Sequence, residues 1–197
     1  MTFAEALKAN QSVFELDLAA EVVSSLSDYF DLLSRWNARL HLVAPCSPEE
    51  FATRHVLESL MLLKHLPNDA KIADIGSGAG LPIIPCLIAR PDLHATLIES
   101  SPKKSVFLRE ASNQLGLAST VIAKPFEDVE PLDVSFVSCR ALDRFKEKLP
   151  AIIQWAPRGS KLLLFGGETL REKLGEQTQE FKIPLSERRF LFVTTNS

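Results

Sequence analysis

The chain has 197 residues, enough for one well-buried core and a small appendage. Its 46% apolar and 24% charged content is that of an ordinary globular protein, and a net charge of -3 excludes a broadly basic surface, so an RNA partner would have to be held by a local patch. Three cysteines without a C-x-x-C spacing give no zinc motif and point to a reducing compartment; no apolar run of about 18 residues is present, so neither a metal nor a membrane is expected and the cytoplasm is the expected location.

Residues 1 to about 66 carry helical periodicity. Leu18, Val22, Leu26, Tyr29, Leu33, Trp36 and Leu40 recur every three or four positions and predict one long helix, with Asp17 as its N-cap. Ser47-Pro-Glu-Glu50 reads as a capping box with proline at the first helical position, opening a second helix through Phe51, Val56, Leu60 and Leu63. No flexible linker separates these helices from Lys71. The expected organisation is therefore an N-terminal helical cap, 1–66, on a core, 67–197, forming one structural unit.

From Lys71 onward, strand and helix signals alternate, which predicts an α/β fold with a mostly parallel, Rossmann-like sheet and helices on both faces. Strands are expected near 71–75, 95–99, 119–123, 134–138 and 160–165. Helices are expected near 80–90, 102–115, 143–155 and 168–175, and residues 181–194 read as a closing hairpin.

The stretch Lys71-Ile-Ala-Asp-Ile-Gly-Ser-Gly-Ala-Gly-Leu-Pro82 is a strand running into a glycine turn and then a helix. Gly76, Gly78 and Gly80 let the backbone turn tightly and admit a ligand against the main chain. A dinucleotide fingerprint would need glycine where Leu81 stands, and a phosphate-binding loop would need Gly-Lys-Ser/Thr. Asp74 ends the strand with an acceptor instead. About 20 residues on, His94-Ala-Thr-Leu-Ile-Glu99 ends the next strand in a carboxylate, where a doubly wound fold puts the group that holds ribose hydroxyls. The pattern Asp-x-Gly-x-Gly-x-Gly resembles the first motif of class I S-adenosylmethionine-dependent methyltransferases.

Further islands narrow this resemblance. Trp36-Asn37, Arg54-His55-Val-Leu-Glu-Ser59, the glycine motif, Lys103-Lys104-Ser-Val-Phe-Leu108 and Arg140-Ala141 occur in an order and spacing similar to the bacterial ribosomal RNA small-subunit methyltransferase G family. The resemblance implies methyl transfer from S-adenosylmethionine to N7 of a guanine in 16S ribosomal RNA, free or within the small subunit, by a monomer. It implies cofactor contacts from Asp74, Gly76, Ser77, Gly78, Gly80, Leu81, Glu99, Ser100 and Arg140. It also implies RNA contacts from Arg54, His55, Lys103 and Lys104, with Arg140 orienting the substrate. Guanine N7 carries a lone pair and no proton, so no general base is required. Arg54 and His55 are neighbours on a helix and point about 100° apart, so they cannot serve one small group together. At the third strand's end, Phe126 is a candidate to stack on the adenine and Glu127 or Asp128 to accept its amino group. Trp36 and Asn37 read better as a core aromatic and a helix-end hydrogen bond.

Some positions depart from the family pattern. Ala38 and His41-Leu-Val43 replace a lysine and Asn-Leu-Thr, Phe165-Gly166-Gly167 lacks a lysine after the fifth strand, and Arg188 and Arg189 are the remnants of a more basic hairpin. Another RNA or a small molecule as methyl acceptor, and a non-catalytic module that keeps the cofactor fold, are the competing readings. The intact Asp74, Glu99 and glycines oppose the last.

Overall fold

The computed structural model describes residues 1–140 and 145–197. Ala141, which follows Arg140 in the family pattern, and the first two residues of the helix expected at 143–155 lie outside the described residues. The chain opens with α1 (Phe3–Asn10), capped at its N-terminus by a reciprocal capping box: Thr2 N–H donates to Glu5 Oε2 at 2.8 Å, and Glu5 N–H to Thr2 Oγ1 at 3.3 Å. The long helix α2 (Ala20–Leu40) follows. Asp17 does not cap it. Leu18 N–H is bound by Gln11 Oε1 at 2.7 Å and Leu16 N–H by the Gln11 carbonyl, which hold that stretch on the preceding turn, and Ala19 precedes the helix without a side-chain cap.

The second helix, α3, changes winding along its length: Pro48–Glu50 is α-helical, Phe51–Leu57 is π-helical, Glu58–Leu60 is α-helical again and Met61–His65 is a 3₁₀ turn. Ser47 Oγ accepts the Glu50 N–H at 3.1 Å as expected of a cap, but the Glu50 carboxylate pairs with Arg54.

The core alternates β1 (Lys71–Ile75), α4 (Ile83–Ala89), β2 (His94–Ile98), α5 (Pro102–Gln114), β3 (Ser119–Ile122), β4 (Phe136–Arg140), α6 (Phe145–Trp155), β5 (Lys161–Gly166) and α7 (Glu168–Arg171), closing with the hairpin β6 (Gln179–Lys182) and β7 (Phe190–Thr195). Among the described residues seven strands form one sheet in the order β3-β2-β1-β4-β5-β7-β6. The first five run parallel, and β7 inserts antiparallel between β5 and β6. The strand β4 starts two residues later than its apolar run because its ladder with β1 pairs Ile72 with Phe136 and Ile75 with Cys139. The helix α7 stops at Arg171, where 3₁₀-type turns take over: Lys173 and Leu174 N–H bond the carbonyls of Leu170 and Arg171.

Both sheet faces are buried, which explains the nearly continuous apolar strands. Along β5, Leu162 and Leu164 join Leu149 and Ile152 of α6 on one face, while Leu163 and Phe165 join the other. That second face carries α2 to α5 in one continuous core, in which Tyr29 and Leu33 of α2 meet Leu57 and Leu60 of α3 and Phe107 of α5. Trp36 packs edge-on against Phe107, and Asn37 closes the end of α2 through both its amide groups, to Val43 N–H at 2.9 Å and Val43 O at 3.1 Å. No helix among the described residues is long and apolar enough to cross a membrane.

Candidate active site

The strand order reverses between β1 and β4, and a doubly wound sheet binds ligands outside the carboxyl ends of its strands at such a point. A cleft of about 820 Å³ opens there. Its floor is the glycine turn, where Gly76 and Ser77 N–H bind the carbonyl of Ile98 at 2.9 and 3.2 Å, tying the turn to β2. Gly80 is required on two counts: its φ is +85°, and a Cβ there would stand 2.3 Å from Ile84 Cδ1 of α4. From the opposite side the buried Tyr29 hydroxyl donates to the Ala79 carbonyl at 2.7 Å, so α2 braces the turn across 50 residues of sequence.

Glu99 is almost fully buried at the end of β2. Its Oε2 accepts Gly78 N–H at 2.8 Å and its Oε1 accepts Ser101 N–H at 2.7 Å. Each oxygen keeps a lone pair for a hydroxyl. Asp74 lies deeper. Its Oδ1 accepts the Ser138 hydroxyl at 2.6 Å while its Oδ2 is buried without a partner, and burial, opposed by that hydrogen bond, pushes the carboxyl up to about 7.

The wall opposite the turn is built by Arg140 at the end of β4, whose side chain is only 10% exposed. Its Nη2 donates to the Arg54 carbonyl at 2.6 Å and lies 3.3 Å from Glu58 Oε1, and its Nη1 donates to the His55 carbonyl at 3.2 Å and to Ser59 Oγ at 3.1 Å. The π-helical turn makes this possible. Glu58 N–H bonds the carbonyls of Thr53 and His55 and passes over that of Arg54, which is left for the guanidinium. Arg140 also lies 5.5 Å over the ring of Phe165. Arg189, before β7, pairs with Glu58 Oε2 at 2.6 Å without hydrogen-bond geometry. Burial raises the Glu58 carboxyl, and the flanking Arg140 and Arg189 oppose that shift. His55 is pushed down to about 4, first by burial and then by Arg140 and the two other arginines, so its ring is neutral at pH 7.

The cleft brings together Gly76, Ser77, Gly78, Leu81, Glu99 and Ser100, and Arg54, His55, Lys104 and Arg140 also reach it. Asp74 and Gly80 support it from behind, while Lys103 is exposed outside its lining. Two placements correct the expectation. Phe126 is buried edge-on against Trp155, 6.3 Å between ring centres, and Glu127 pairs with Lys148 at 3.1 Å; neither lines the cleft, because the turn after β3 folds under α6. Arg140 is no free substrate clamp either: helix carbonyls, Ser59 and Glu58 engage both of its Nη groups. Sequence reasoning missed Glu58 and Tyr29. The former had one signal, a lone carboxylate in the run Val56-Leu-Glu-Ser-Leu-Met-Leu62. Gly166, where the family lysine is absent, lines the cleft, and a Cβ there would stand 2.6 Å from Leu170 Cδ2, so Leu170 occupies the space in which a side chain would start.

The family model of rRNA small subunit methyltransferase G (GidB) matches residues 22–196. The chain belongs to this family. Named members include the ribosomal RNA small subunit methyltransferase G of Ruegeria pomeroyi, 33% identical over 162 residues that cover 80% of this chain and 76% of the relative. That of Stenotrophomonas maltophilia is 38% identical over 163 residues, covering 83% and 74%. Solved structures share the fold at low identity. An RNA methyltransferase from Salinibacter ruber, determined with S-adenosyl-L-homocysteine, superposes with a TM-score of 0.56 at 15% identity, over 76% of this chain and 92% of that one.

Proposed function

We propose that the chain transfers a methyl group from S-adenosylmethionine to N7 of a guanine in 16S ribosomal RNA, acting as a monomer in the cytoplasm. The observation that carries the reading is Glu99, held by Gly78 N–H at the carboxyl end of β2 with oxygen lone pairs left for a ribose. The cleft suits this cofactor. Beside the glycine turn it presents the Glu99 carboxylate, which takes the Gly78 N–H and would repel a nucleotide phosphate, and the cofactor has no phosphate. Bound there, S-adenosylmethionine supplies a methyl group on a positively charged sulfur, which keeps the S–C bonding pair as the methyl leaves. Glu99 and the 76–80 turn hold the nucleoside half, and Leu81 and Ser100 border it. Asp74 stiffens the turn from below through Ser77, whose hydroxyl donates to the Asp74 carbonyl at 3.0 Å.

No side chain has to take a proton, because guanine N7 attacks with its own lone pair. The chain's task is alignment and exclusion of water. Positive charge moves from sulfur to the purine, so a cation aimed at the methyl group would oppose the reaction. Neutral His55, and Arg140 turned onto helix carbonyls and Glu58, keep the cleft wall free of such a cation. Arg54, which pairs with Glu50, and Lys104 border the cleft, and their cations are the groups offered to RNA phosphates in this reading.

The test is transfer of labelled methyl to naked 16S RNA and to assembled small subunits, with Glu99→Gln alongside and the product mapped by cleavage at N7-methylguanine. Label at one guanine, and a loss of cofactor affinity of roughly 10-fold or more in Glu99→Gln, is expected. Label in a different RNA, or none with cofactor bound, would overturn the substrate; full cofactor affinity in Glu99→Gln would overturn the site.

A further inference from the structure

The turn that joins β6 to β7 stands at the rim of the cleft. Its ends, Ile183 and Arg189, both line the cleft, and Ile183 N–H donates to the Arg189 carbonyl at 3.0 Å. Ser186 N–H reaches the Ile183 carbonyl at 3.3 Å, Arg189 Nε donates to Ser186 Oγ at 3.1 Å, and Arg189 is anchored by buried Glu58. A braced loop therefore projects a fixed tip. At that tip Leu185 has a φ of +58° and 64% of its surface exposed. Among the described residues only Met1 is a more exposed large apolar side chain. Neither stability nor solubility accounts for leucine here, since glycine would relieve the left-handed backbone and a polar residue would remove the apolar exposure. Lys182 and Arg188, both exposed, flank the tip on either side and with Arg189 outnumber the single acid of the turn, Glu187.

We propose that Leu185 is a wedge that enters the base stack of the RNA where the target guanine leaves it. The inference rests on the guanine reading above. A stacked base cannot bring N7 to the floor of a cleft formed by the 76–80 turn, so the nucleotide has to be extruded, and extrusion leaves an apolar gap between its neighbours. An apolar side chain on a braced turn beside the cleft mouth fills that gap, as inserted leucines do in duplexes bent by architectural proteins, and the flanking cations hold the phosphates on either side. Leu185 acts on the substrate and not on the cofactor, whose cradle lies across the cleft.

The test uses Leu185→Gly and Leu185→Asn, both of which suit a left-handed backbone, so misfolding does not explain a loss. With the methylated guanine mapped, kcat/KM is measured on intact 16S RNA, on assembled subunits and on an RNA fragment whose nucleotide beside that guanine is abasic. The wedge predicts a fall of about 10-fold on intact RNA, unchanged S-adenosylmethionine affinity, and recovery to within about 2-fold of the unsubstituted protein on the abasic RNA, where the stack is already open. Equal rates on intact RNA, a loss that the abasic RNA does not recover, or a loss confined to assembled subunits would each overturn it, the last in favour of a contact with a ribosomal protein. Failure of the unsubstituted protein to methylate any RNA would instead overturn the guanine reading, and the wedge with it.

Discussion

Replacing Arg140 with methionine separates two roles for this residue by their different signatures. As a structural tie, Arg140 satisfies the carbonyls of Arg54 and His55, the hydroxyl of Ser59 and the carboxylate of Glu58 at the junction of β4 and α3. Methionine keeps most of the apolar stem but leaves Glu58 buried with Arg189 alone, and breaking one partner from a buried pair costs about 3–5 kcal/mol. Arg189 remains to neutralise part of the charge, which puts the expected loss at the lower end. At roughly 2–4 °C per kcal/mol for a chain of this size, the thermal midpoint should fall by about 6–12 °C. Urea denaturation followed by circular dichroism measures the loss directly. The double variant Arg140→Met/Glu58→Gln should recover about 1 kcal/mol or more of it, because the stranded carboxylate is gone. Stability within about 0.5 kcal/mol of the unsubstituted protein, with methyl transfer abolished, would refute the structural tie and return Arg140 to direct substrate contact.

Gly80→Ala places a Cβ 2.3 Å from Ile84 Cδ1 at a left-handed φ, and is expected to cost at least about 2 kcal/mol in urea denaturation; a loss under about 0.5 kcal/mol would show that the turn and α4 separate easily. His55 ties stability to pH. Its folded pKa of about 4 lies below the ordinary 6.5, so the unfolded chain takes up the proton first as pH falls. The stability this residue contributes is complete above 6.5 and is lost as pH falls towards 4. The His55→Gln variant should therefore lose up to about 3 kcal/mol less than the unsubstituted protein between pH 7 and 4, and parallel urea midpoints across that range would contradict the assignment.

The parts of the fold that were legible in the sequence are those governed by local rules. The alternation of apolar strands with capped helices, the proline after Ser47 and the glycines after Asp74 each specify geometry within a few residues, and the described strands and helices after Lys71 lie within two residues of where periodicity puts them, apart from the ends of two helices and the start of the helix expected at 143–155, which falls outside the described residues. The opening turns of the helix expected from residue 80 stay nonhelical until Ile83, and α7 loses its last turn. Asp17 misled because the Gln11 side chain, seven residues before Leu18, claimed the backbone N–H of Leu18 ahead of the helix. Phe126 misled because an aromatic in a polar turn carries no mark of which side of the sheet it will fold under.

By itself the sequence determined the carboxyl-end glycine turn with its strand-end acid, since a left-handed backbone at Gly80 and a carboxylate one strand over follow from residue type and spacing. Only the tertiary structure decided what Arg140 does, that Glu58 belongs between two arginines, that Tyr29 braces the turn, and that Leu185 stands exposed on the turn whose two ends line the cleft. Those four depend on contacts between residues up to 131 positions apart. A buried charge or hydroxyl takes whichever partner packing delivers, and its residue type records only that it needs one.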